Sequence, residues 1–191
     1  MRHLTATICA GHVAGNSKRI PERKMNVFVE WAIWGIVALS LAIGLVSGVF
    51  LAFSDFVMPS LLASKPAAGS EAMQVINRKV YASIFIVLLV GMIPVTVAVG
   101  GLAYLFLPGP AATWLMAGGA LYFVGVFLAS MFGNIPMNRR LEAMPQGGSD
   151  AQAYWPSYVR GWQIWNHLRT ISSFATMGCY VIAAVLLAQG L

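Results

Sequence analysis

A chain of 191 residues in which 59% are hydrophobic and only 9% charged, with a mean hydropathy of +0.75, is far from a water-soluble domain, where about a quarter of residues are charged. Its net charge of +6 is spread over an N-terminal tail and two loops without a nucleic-acid motif, which excludes a nucleic-acid partner. The length allows one compact bundle and no separate catalytic domain.

Taken in chain order, residues 1–24 carry Arg2, Lys18, Arg19, Arg23 and Lys24 and lack the apolar run of a signal peptide. They read as a basic, disordered tail ahead of a single transmembrane domain, 25–191. Met25 stands directly before the first apolar run. The tail is therefore either an extension from an upstream start or a genuine arm that touches anionic lipid.

Four uncharged apolar runs follow: Trp31–Ser54, Val80–Leu107, Ala111–Asn138 and Thr170–Leu191. At ~1.5 Å rise per residue each is long enough to cross a hydrocarbon core of about 30 Å, and in lipid only helices and closed barrels satisfy their own backbone. The expected fold is an all-α integral membrane four-helix bundle, in contact with the lipid bilayer of a bacterial inner (plasma) membrane.

Two stretches repeat. Gly48-Val-Phe-Leu-Ala52 recurs as Gly125-Val-Phe-Leu-Ala129, with Pro59 and Pro136 at matching places, and Gln74-Val-Ile-Asn77 is echoed by Gln163-Ile-Trp-Asn166. The pattern predicts two helical hairpins related by a pseudo-twofold axis along the membrane normal, although shared apolar residues are cheap in membrane spans. Small residues at Ser40, Gly44, Gly48 and Ala52, and at Gly125, Ala129 and Gly133, predict close contact between the first and third spans. Pro94 predicts a kink in the second.

Basic residues set the expected topology. Lys65, Arg78, Lys79, Arg139, Arg140, Arg160 and Arg169 fall in loops 54–79 and 139–169, whereas Pro108–Pro110 and the C-terminal end carry none. With Met25 as the start, the positive-inside rule puts both loops in the cytoplasm and both termini outside. Cys9 and Cys179 form no Cys-x-x-Cys, which removes membrane thiol oxidoreductases.

The unusual polar residues gather at the loop-rich leaflet. Asp55, Asn77, Asn134, Asn138, Asn166, His167 and Arg169 are the candidates, because ionisable groups at membrane depth mark function by default. Plainer readings stand beside them. Asn134, after Gly133 and before Pro136, suits a left-handed helix terminator; the arginines could snorkel; the aromatics could form an interfacial belt. On a helix Trp155, Tyr158, Trp162, Trp165 and Arg169 share one face with Asn166 on its flank, and His167 points elsewhere. His167 is the sole histidine outside the tail. With Asp55 too distant it makes a poor metal set, so no metal site and no cofactor are expected; it is either a buried structural histidine or a general base. Glu30, beside Trp31 and Trp34, reads as interfacial.

Phe53-Ser-Asp-Phe-Val-Met-Pro59, Met73-Gln-Val-Ile-Asn77, Gly133-Asn-Ile-Pro-Met-Asn138 and Trp162-Gln-Ile-Trp-Asn-His167 with Arg169 resemble the pattern of the anthrone oxygenase-like family of small four-span membrane proteins. The resemblance covers residues 28–189. It implies four membrane helices and, as in characterised fungal members, oxidation of an anthrone to an anthraquinone by molecular oxygen. On that reading His167 deprotonates an apolar aromatic small molecule. Arg169, Asn134, Asn138 and Asn166 stabilise the enolate-like oxygen, while Asp55, Asn77, Trp162 and Trp165 help to bind it. An oxygenase predicts a pocket beside His167, a small-molecule transporter predicts a path between leaflets, and a structural or assembly protein predicts a self-satisfied polar cluster.

Overall fold

The structure, a computed structural model, describes residues 22–190, with side chains over 27–190. Of the expected disordered tail, residues 1–21 lie outside these residues, and 22–24 fall in the first helix. The first span is α1 (Glu22–Ala52), a wide turn π1 (Phe53–Val57) and α2 (Met58–Ala63). Then come α3 (Pro66–Val80) and the second span, α4 (Ile84–Phe106). The third joins α5 (Pro110–Tyr122), wide turns π2 (Phe123–Leu128) and π3 (Ser130–Asn134), and α6 (Ile135–Glu142). The last is α7 (Ser149–Ala188).

Among the described residues there is no strand, and four helical stretches are long and apolar enough to cross a membrane: Val27–Ala63, Ile84–Phe106, Pro110–Glu142 and Ser149–Ala188. The fold is an all-α bundle suited to a bilayer. Its outer surface agrees, with Trp31, Leu41, Leu45, Ile84, Val87 and Phe106 all more than half exposed. In lipid such a surface carries no penalty.

The expected loops are themselves helical. Residues 58–63 and 66–80 form α2 and α3, and 149–169 is the first half of α7. Nor does Asn134 end its helix. It holds φ −68° and ψ −41°, ordinary right-handed values, and no non-glycine residue among those described has positive φ.

The reason lies in Pro136 and in its counterpart Pro59. A proline cannot donate to the carbonyl four residues back, and its ring crowds that carbonyl. A wide turn relieves both. The Met58 N–H bonds to the Phe53 C=O and the Ile135 N–H to the Ser130 C=O, five-residue closures of the kind found in single π-turns. These turns fall at matching places after the two Gly-Val-Phe-Leu-Ala stretches. The other repeated stretch diverges: Tyr81–Ser83 interrupts the chain between α3 and α4, capped by Ser83 Oγ accepting from the Ile86 N–H at 3.3 Å, whereas Thr170–Ser172 lies within an unbroken α7.

Packing also departs from the expectation that the first and third spans meet centrally. α7 occupies that place, against α1 on one side and α5 with π2 on the other, while α4 packs chiefly on α5. Gly44 of the first stripe and Gly125 and Gly133 of the second face α7, whereas Gly48 is exposed and meets nothing. A Cβ on Gly44 would press on Met177 Sδ, one on Gly125 would strike Ser172, and one on Gly133 would enter the Trp165 ring. The interior divides into two apolar clusters. One, around Ile43, Val46, Phe50, Tyr122 and Tyr180, fills the end away from the long connections. The other, around Met58, Met73, Leu141, Trp155 and Tyr158, fills the opposite end.

Candidate functional site

Between the two clusters the bundle leaves a cavity of about 370 Å³, at the lower end of the size typical of small-molecule sites. Phe50 and Phe53 enter it from the end of α1 and from π1. Met73, Ile76 and Asn77 come from α3, Phe85, Ile86 and Leu89 from α4, Ser130, Asn134 and Asn138 from π3 and α6, and Trp162, Asn166 and Arg169 from α7. Its mouth lies at Lys79, Tyr81 and Ser83, where the chain breaks between α3 and α4. The walls are aromatic and well packed: Phe50 meets Phe85 edge-on at 5.6 Å, and Phe53 leans on Trp162 at 5.7 Å.

The α7 face follows from helix periodicity. At about 100° per residue, Trp162, Asn166 and Arg169 fall on one stripe, and the structure turns that stripe inward: Trp162 is 5%, Asn166 0% and Arg169 7% exposed. Asn166 Nδ2 donates to the Phe50 C=O at 2.8 Å and to Ser54 Oγ at 2.7 Å. Those acceptors fix the orientation of the amide. Its Oδ1 therefore points to Arg169, whose Nη2 donates to it at 2.6 Å.

Arg169 is otherwise held by rings. Its guanidinium lies 4.4 Å from the Phe50 ring centre and 5.2 Å from that of Trp162, distances at which cation–π attraction operates. Its Nε is buried without an acceptor. Opposite, Asn138 Oδ1 accepts from Tyr158 Oη at 2.8 Å and Trp162 Nε1 at 3.0 Å. Asn134 Nδ2 donates to the Trp162 C=O at 3.1 Å. Asn134 Oδ1 and Asn77 Nδ2 are buried without partners.

Six of the nine candidate residues are thus brought together: Asn77, Asn134, Asn138, Trp162, Asn166 and Arg169. Three are not. His167 is exposed and absent from the cavity wall; two residues before Arg169, it stands about 200° around the helix from it. Asp55 is exposed on the outer side of π1. Trp165 is 36% exposed and lies over Gly133 instead of roofing the cavity.

Phe50, Phe85, Ser130, Lys79 and Tyr81 belong to the wall but are not among the sequence candidates. Phe50 had a signal in the repeated Gly-Val-Phe-Leu-Ala stretch, Phe85 lies in the continuation of the second repeated block, and Lys79 stood among the basic residues that set topology; Ser130 and Tyr81 had none. Among the described residues no three His, Cys, Asp or Glu side chains gather as a metal site requires. The arrangement can hold a flat apolar molecule by its faces and meet an oxygen on it with amide and guanidinium donors.

In comparison with known families, a family model described as anthrone oxygenase fits residues 85–179. That segment reaches from Phe85 in the cavity wall through Ser130, Asn134 and Asn138 to Arg169 and beyond. Comparison with curated proteins and with solved structures gives no match.

Proposed function

We propose, from the anthrone oxygenase family segment at residues 85–179, that this membrane protein oxidises an apolar phenolic or anthrone-like molecule with molecular oxygen in the cavity beside Arg169. The observation that carries the reading is a buried guanidinium between two aromatic rings at the wall of an apolar cavity. A carbonyl oxygen on the substrate would meet Arg169, with the Asn77 amide nitrogen as a further donor that lacks a partner, whereas the Asn134 nitrogen is already given to the Trp162 C=O.

Donors at that oxygen stabilise charge as it develops. Loss of a proton from the adjacent methylene leaves an enolate, electron-rich enough to reduce oxygen without a redox cofactor. The methylene carbon loses two hydrogens and gains one oxygen atom, and the second oxygen atom leaves as water. The base expected at His167 has no geometric support in this reading, because its side chain faces away from the cavity.

The test is purified protein in nanodiscs, incubated with an anthrone under oxygen while anthraquinone absorbance and oxygen consumption are followed. Conversion above the spontaneous rate, lost in Arg169→Gln, is expected. Conversion no faster than in empty nanodiscs would leave a structural or assembly protein as the better reading, one favoured by the fully bonded amide nitrogen of Asn166.

A further inference from the structure

We infer that the cavity takes its ligand as an oxyanion: Arg169 is a built-in counter-charge for the ionised oxygen of a planar aromatic enol or phenol, so that binding itself drives the ionisation. The aromatic identity rests on the oxygenase reading, whereas the charge rests on the cavity alone.

Arg169 is 93% removed from solvent, and a cation so placed is expensive unless its charge is met. Among the described residues, every side chain that lines the cavity with it is neutral or basic. α1 supplies the Phe50 ring, α3 supplies Asn77 and Lys79, the break supplies Tyr81, and α4 supplies Phe85. The third span supplies Asn134 and Asn138, and α7 supplies Asn166, Trp162 and, through Asn138, Tyr158. Among the described residues no carboxylate or imidazole lines the cavity, and the one ion pair, Arg78–Glu142, lies outside it.

Asn166 cannot be exchanged for a charge without loss. Its Nδ2 is needed by the Phe50 C=O, so the partner presented to Arg169 is a neutral amide by construction. With Nε buried and without an acceptor, the guanidinium is met inside the protein only by one neutral amide oxygen and two rings.

The ligand's shape follows from the walls. Phe50, Phe53, Phe85 and Trp162 offer ring faces and edges, and the apolar cavity has room for a fused aromatic system. On binding, the O–H bond breaks, the electron pair stays on oxygen opposite Arg169, and the proton passes to water at the mouth beside Lys79. No base inside the cavity is required.

The experiment uses the full chain in nanodiscs with 4-nitrophenol, whose ionised form has its own visible band and which is not an anthrone. The pH at which half of the bound probe is ionised should fall by about one relative to probe in empty nanodiscs, a tenfold gain in ionisation constant. Arg169→Gln should abolish the shift and Arg169→Lys restore part of it, each variant being checked by size exclusion and tryptophan fluorescence. 2-Naphthol should displace the probe better than decanoate does. An unshifted or raised midpoint, a folded Arg169→Gln that keeps the shift, or preference for decanoate would overturn the inference. A shifted probe without anthrone oxidation would sink only the oxygenase reading, and oxidation with an unshifted probe would sink only this one.

Discussion

The side chain of Asn138 accepts from Trp162 Nε1 at 3.0 Å, tying the end of the third span to the cavity face of α7. The same oxygen accepts from Tyr158, so one amide holds two aromatic groups. Asn138→Ala strands both donors. It should cost about 1–3 kcal/mol, read as a lower unfolding midpoint in detergent by tryptophan fluorescence, and an unmoved midpoint would show the pair to be dispensable.

The two Gly-Val-Phe-Leu-Ala stretches make an internal control. Gly48 has nothing within 4 Å of where a Cβ would stand, whereas a Cβ on Gly125 would collide with Ser172. Gly48→Ala should leave stability unchanged or slightly raised, and Gly125→Ala should lose about 1–3 kcal/mol through overpacking. Equal effects in thermal unfolding would mean that α7 is not seated against the third span as described.

His167→Gln separates the expectation drawn from sequence from the geometry. Because His167 is exposed and outside the cavity, the substitution should change neither probe binding nor anthrone turnover by more than about twofold. A loss of turnover comparable to that of Arg169→Gln would restore the histidine as base.

Topology follows from charge. With Lys65, Arg78, Lys79, Arg139, Arg140 and Arg160 at one end of the bundle, reporter fusions after Leu191 should report an external C-terminus. A cytoplasmic signal would show that the basic tail governs insertion.

How much of this was legible beforehand depends on what each residue's neighbours contribute. The spans were legible because lipid imposes length and hydropathy on them directly. The inward stripe Trp162, Asn166 and Arg169 was legible because helix period alone groups it. His167 misled because its chemistry suggested a role that its angle on α7 does not support. Trp165 shares the correct side of the helix, yet Gly133 leaves a hollow that receives it, and a hollow on a neighbouring helix has no trace in the local pattern. The central place of α7 was hidden for a similar reason: small-residue stripes announce a close approach but not which partner makes it.

The break at Tyr81–Ser83 bears on where an occupant of the proposed kind would come from. Tyr81 is 66% exposed and stands just before α4 begins its apolar run, which would put the mouth at the edge of the hydrocarbon layer if α4 spans the bilayer. For an apolar guest the reservoir would then be the leaflet and not the aqueous phase, and arrival would be lateral diffusion in two dimensions. Occupancy would follow the guest's mole fraction in lipid, so that diluting the membrane with inert lipid at constant total guest should empty the cavity, while diluting the buffer should not.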